Sequence, residues 1–191
     1  MPSACALAAD HPERVDCLAV AEAPLPGISD SAPVFGSAWL NDRVWHIGFN
    51  RLTEINELLV RGREDIFFGF EFDINAVKKL PDHAVRYYIR AIASHRDALR
   101  GTFNFYRALD ATLAQNKERR QAGLLTLPVL AIGGAGSIGE GAAITMRAAA
   151  HDVQSVVIPD CGHWVAEEAP QEMLSALTAF LAPYRDRNQG A

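Results

Sequence analysis

Two kinds of apolar pattern divide the chain. Near the start, CLAVAEAPLPG (17–27) carries a short apolar run closed by Pro and Gly, and later LPVLAIGG (127–134) and SVVIPD (155–160) carry two more. Unbroken apolar runs of strand length, rather than alternating ones, point to strands buried on both faces, as in parallel sheets. Helical stretches separate them. ACALAADHPERV (4–15) has helix-forming composition until Pro12 stops it, EGAAITMRAAAHD (140–152) is a second helix, and APQEMLSALTAFLAPY (169–184) is a closing helix with Leu174, Leu177 and Leu181 expected on its buried face. The order strand, helix, strand, helix predicts a parallel sheet.

The middle of the chain has a different period. From Ile28 to Gly123 the apolar residues fall at helical spacing: Leu52, Ile55, Leu58 and Leu59; Val85, Ile89 and Ile92; Phe105, Leu109 and Leu113. Pro81 and Asp82 stand where a helix start wants them, and no strand pattern interrupts the run. ISDSAPVFGS (28–37), rich in Ser, Pro and Gly, is the expected boundary. The expected architecture is therefore α/β: core segments 1–29 and 123–191 with an inserted helical cap, 30–122.

Composition narrows the function classes. With 191 residues, 49% of them hydrophobic, the chain can bury one sizeable core. Its 18 basic and 23 acidic residues leave a net charge of −5, and the short run Glu118-Arg119-Arg120 reads as a solvated helix end, so no nucleic-acid partner is expected. Cys5, Cys17 and Cys161 form neither a disulfide framework nor a CxxC pair, which suits a reducing compartment. MPSACALAAD lacks the basic start of a signal peptide and is too short to span a bilayer, so a cytoplasmic protein without membrane contact is expected, unless a leader lies upstream of Met1.

Two loops carry candidate chemistry. GGAGSIGEG (133–141) contains Gly134-x-Gly136-x-x-Gly139 between a strand and a helix, the outline of a dinucleotide-binding turn. Such a turn normally opens a six-stranded unit, and only one further strand follows here, so a glycine-permitted turn is preferred and no cofactor is expected. Nor is it a nucleophile elbow, because the GxSxG spacing is missing around Ser137. The second loop, IPDCGHWVAEEAP (158–170), puts His163 directly after the last strand, at the edge of the sheet where open α/β proteins bind ligands. Taken alone, His163 reads as a structural loop residue. Cys161 and His163 lack companions at metal-binding spacing, so no metal site is expected.

His163 has company elsewhere. HPERVDCLAVAEAPLPG, VWHIGF, FNFYRAL, LPVLAIGGAGSIGEG and CGHWVAEEAP, in this order, resemble the α/β-hydrolase family, more narrowly its epoxide hydrolases and within these the Cif-like branch. The resemblance spans nearly the whole chain. It implies that His163 activates water, a task suited to an imidazole whose ordinary pKa is about 6.5. It also implies an orienting acid, for which Glu22, at the end of CLAVAE, is preferred and Glu140 is the alternative. His46 and Tyr106 fall where that branch keeps the donors for the opening epoxide oxygen, and Trp45 and Trp164 are expected to line an apolar pocket.

The family's nucleophile is an aspartate on a strand-to-helix turn, and by the resemblance that turn falls ahead of Met1. No nucleophile is expected in this chain; Ser3 lacks the required strand and glycines. Three functions are weighed: opening of a small apolar epoxide through an aspartyl ester, a dehalogenase using the same ester, and a non-catalytic binding module. A homodimer is an open option.

Overall fold

The computed structural model describes residues 2–28 and 37–185. Helix α1 (Pro2–Asp10) ends before Pro12, which opens a short 3₁₀ turn, and β1 (Leu18–Ala21) follows. Six helices then form the lid: α2 (Ala38–Asn50), α3 (Ile55–Val60), α4 (Glu64–Ile74), α5 (Asp82–Ala93), α6 (Arg96–Arg107) and α7 (Leu109–Ala122). The chain returns to the sheet with β2 (Val129–Gly134), α8 (Gly141–Arg147), β3 (Val153–Ile158), α9 (Val165–Glu168) and α10 (Pro170–Arg185). Most of the expected boundary segment, residues 29–36, lies outside the described residues. None of the described helices is long and apolar enough to cross a membrane.

The three strands are parallel in the order β1-β2-β3, with Leu18 opposite Val129 and Val129 opposite Val153. Central β2 is buried at every position, which is why its sequence is unbroken apolar. One face of the sheet packs on α1 and α8 through Cys5, Ala8, Val20, Val129, Ala143 and Met146. The other packs on α10 through Leu130, Ile132, Ile158 and Phe180. A separate aromatic core, built around Phe68, Phe72, Leu99 and Phe103, holds the lid together.

Two expected apolar faces are corrected. In α3 the residues turned inward are Asn56, Glu57 and Val60, while Leu52, Ile55, Leu58 and Leu59 are exposed. Polar partners decide this: Arg100 and Arg107 reach Glu57 at 3.3 and 2.9 Å, and Arg107 also donates to Asn56. A buried carboxylate paired with two guanidiniums is tolerated where an unpaired one is not. In α10, Leu174 and Leu181 are exposed, and Met173, Ala176, Leu177 and Phe180 face the sheet. Phe180 is the largest apolar side chain of that helix, and burying it sets the helix rotation.

One carboxylate bonds to both lid and core. Oε2 of Glu168, at the end of α9, accepts from Val77 N and Lys78 N in the lid at 2.8 and 2.9 Å, and from Gly162 N in the core at 2.9 Å. Its Oε1 accepts from Trp164 N at 3.1 Å. Burial pushes this carboxyl up, but the donors from Lys78, Gly162, Val77 and Trp164 together hold it below the usual range. Gly162 permits the approach, since a Cβ there would sit 2.5 Å from Asn75 O and 2.8 Å from Val77 N.

Two predictions follow from this arrangement. Replacing Glu168 by Gln should lower stability to urea at neutral pH by about 2 kcal/mol, because the amide cannot satisfy all four donors. The stabilisation from a depressed carboxyl is complete above the ordinary Glu pKa of about 4.3 and is lost as pH falls through the lower folded value. Wild-type stability should therefore fall more steeply than that of the variant in that acid range, and parallel curves would contradict the assignment. Second, the outer edge of β1 has no strand partner among the described residues. The 191-residue chain should associate with rising concentration in sedimentation experiments, and Ala19→Lys, at an exposed position of that strand, should reduce it. Monodisperse wild-type protein across the range would count against an exposed edge.

Candidate active site

Glu22 follows the last residue of β1 and adopts a left-handed backbone, φ 51°. For a residue with a side chain this conformation costs about 1–2 kcal/mol, so something local must hold it. Its N–H continues the sheet by donating to Ile132 O at 3.0 Å. Its side chain is fixed from two sides: Oε1 accepts from Gly134 N at 2.5 Å, and Oε2 lies 3.0 Å from His163 Nδ1. The carboxylate is 6% exposed and the imidazole 38%. A carboxylate only accepts, so Nδ1 carries the proton and the Nε2 lone pair is left available.

The His163 loop is held as tightly as its partner. Gly134 lets it approach β2, since a Cβ there would lie 2.1 Å from Gly162 O. Asp160, two residues after β3, also takes a left-handed backbone, φ 49°. His163 N donates to Asn75 O of the lid at 2.9 Å. Its ring sits edge-on to Trp164, whose indole packs on Phe72 and donates to Phe72 O at 3.0 Å. Cys161 is buried beside it; burial, then the Glu168 and Glu22 carboxylates, push its thiol up to about 11. A thiol held there is a poor nucleophile near neutrality. Among the described residues no cluster of His, Cys, Asp and Glu is arranged to hold a metal ion.

Glu140, the alternative acid, is engaged elsewhere. It is exposed and pairs with Ser155 Oγ at 2.6 Å and Arg147 at 2.7 Å, which hold its carboxyl below the usual range. The glycine turn beside it is filled by protein. A Cβ on Gly133 would lie 2.0 Å from Gly139 O, and one on Gly136 would lie 2.3 Å from the Val77 side chain of the lid. Gly136 N is spent on Cys161 O. These glycines make room for the His163 loop and the lid.

Four polar residues meet in the lid. His46 and Tyr106 are edge to face at 5.7 Å between ring centres. His46 Nδ1 lies 3.0 Å from Glu71 Oε2, with the two side chains 18% and 12% exposed, but at an angle too oblique for a hydrogen bond. Tyr106 is held above its ordinary pKa by burial first and the Glu71 carboxylate second, partly offset by a hydrogen bond from Asn50. Glu71 Oε1 and Asn50 Oδ1 are buried without hydrogen-bond partners. Trp45 stacks into the lid core against Phe49 and Phe67 at 5.7 and 5.5 Å.

Sequence reasoning passed over Glu71, Asn50 and Glu168. Only Glu71 left a local signal, a carboxylate inside the aromatic run FFGFEF. Asn50 and Glu168 act through backbone groups and side chains that periodicity does not register.

No protein-family model and no curated protein matches the chain. Solved structures do. Cfl2 from Burkholderia cenocepacia is 30% identical with a TM-score of 0.79 over 93% of this chain and 59% of its own. The epoxide hydrolase CorEH is 22% identical with a TM-score of 0.83 over 96% and 65%. The Cif epoxide hydrolase from Acinetobacter nosocomialis is 24% identical with a TM-score of 0.77 over 92% and 56%. The chain thus spans roughly three-fifths of these proteins' length. With its parallel sheet, its helical cap and a histidine loop after the last strand, the chain has the α/β-hydrolase fold.

Proposed function

We propose that this chain carries the water-activating half and the lid of an epoxide-opening hydrolase, with the nucleophilic aspartate supplied by a segment outside these 191 residues. The observation that carries the reading is the Glu22–His163 pair: an acid held in a strained backbone, 6% exposed, 3.0 Å from the imidazole of the loop after β3. A buried carboxylate fixing one ring nitrogen while the other keeps its lone pair is how a general base is prepared.

Chemistry on this frame runs in two steps. The aspartate attacks one carbon of a small apolar epoxide, the C–O bond breaks, and the oxygen takes one proton at the lid pair His46 and Tyr106. His163 then takes a proton from water, the hydroxide attacks the ester carbonyl, the ester C–O bond breaks so that diol leaves and the aspartate is regenerated, and the proton held by His163 returns through solvent to the lid donor. Glu22 steadies the imidazolium formed in between. The lid supports an epoxide over a halogenated substrate. An alkoxide formed at the lid donors is neutralised by protonation, whereas a departing halide would stay anionic in a lid that already holds the buried Glu71 carboxylate, which repels it. Trp164 and Trp45 supply apolar surface.

The 191-residue chain alone should give no diol from epoxides. Extended at its N-terminus by a strand and turn bearing an aspartate, it should release diol and no halide. In that extended protein His163→Ala should leave alkylation intact but slow ester hydrolysis by about 10³-fold or more, so that mass spectrometry finds protein plus one epoxide. Halide release, or turnover unchanged by His163→Ala, would defeat the reading.

A further inference from the structure

Glu71 is a carboxylate placed against a lid donor, and the catalytic steps above give it no part. It sits on α4 within a largely aromatic helix, 12% exposed, with Oε1 lacking any hydrogen-bond partner. Burial of an unsatisfied carboxylate oxygen is costly, and native structures retain it where it does something. Its Oε2 is 3.0 Å from His46 Nδ1. If Nδ1 carried a lone pair, two electron-rich atoms would face one another at that distance. With a proton there, the contact becomes an attraction even though it is too oblique for a hydrogen bond.

We propose that Glu71 is a positioning residue that keeps the proton of His46 on Nδ1, turning Nε2 away from it as an acceptor. The consequence rests on the ring-opening reading given above. In the neutral lid the Tyr106 hydroxyl, edge-on to His46 and bonded to Asn50, is the donor of the pair. His46 donates through Nε2 only when doubly protonated. The two lid donors are therefore not equivalent. Tyr106 gives up its proton to the opening oxygen, and His46 acts as an imidazolium or as an acceptor.

Helix α4 also ties this residue to the base. Glu71 O accepts from Asn75 Nδ2 at 3.2 Å, and Asn75 O accepts the backbone N–H of His163 at 2.9 Å. Phe72, the next residue, lies under Trp164. Glu71 thus sits on the same rigid element that positions the His163 loop, and the two ends of the site share one support.

The tautomer is readable without turnover. Long-range proton–nitrogen NMR spectra of the 191-residue protein, taken where the rings are neutral, report which nitrogen of each of its six histidines is protonated. His46→Gln identifies the His46 signals. Wild-type His46 should show Nδ1 protonated and Nε2 bare. Glu71→Met, similar in length but without an acceptor, should move the ratio of the two tautomers toward Nε2–H by roughly tenfold or more, the scale of one charge contact at this distance. Glu71→Gln, which keeps an acceptor oxygen, should restore much of the wild-type ratio. His46 with Nε2 protonated in the wild type, or a ratio unmoved by Glu71→Met, overturns the proposal. The wild-type result decides even if the methionine variant does not fold. Absence of diol from the extended protein would sink the ring-opening reading and leave the tautomer result standing.

Discussion

The meeting of lid and histidine loop in this protein rests first on one carboxylate accepting four backbone N–H groups. The sheet and the lid have separate apolar cores, and Trp164 is the core-loop side chain that packs into the lid's. Glu168 ties the two together by taking donors from Val77 and Lys78 on one side and from Gly162 and Trp164 on the other. His163 lies between the last two. Orphan N–H groups at loop and helix ends must find acceptors, and a single ionised oxygen pair can satisfy several at charge-assisted strength. The same contact that docks the lid therefore shapes the loop that presents the imidazole.

Close backbone approach is the second constraint. Gly134 and Gly162 stand where any Cβ would overlap carbonyl oxygens of the neighbouring loop, so the end of β2 and the His163 loop can come together only through glycine. That approach puts Gly134 N against Glu22 and leaves the second oxygen of Glu22 for His163. The unfavourable φ of Glu22 is held by those two contacts together with its sheet bond to Ile132 O. Loss of any one would free the backbone to relax and swing the acid away from the ring.

The strand and helix order was legible because its signals are local. An unbroken apolar run gives β2, and Pro12 and Pro81 mark helix limits. Glu22 was legible as an acid at the end of an apolar strand, where burial demands a partner. Faces of individual helices were not. Leu52 to Leu59 have the spacing of a core stripe, yet the arginines of α6 draw the opposite face of α3 inward. Period alone cannot say which of two faces wins when ion pairs forty to fifty residues away compete with leucines. The clamp formed by Glu168 was equally hidden, since its partners are backbone groups that any sequence carries.

The lid polar group and the base share helix α4, and this has a mechanical consequence. Hydrogen bonds run from the Glu71 carbonyl through the Asn75 side chain, and from the Asn75 carbonyl to the His163 backbone, while Phe72 holds Trp164. A helix is stiff over one turn, so rotation of α4 that improved Glu71 against His46 would drag Asn75 and Phe72 against the His163 loop. Placement of donors and base is thus a single geometric problem solved by one helix. The aromatic packing of Phe67, Phe68 and Phe72 around Phe103 and Trp164 limits the answers available to it.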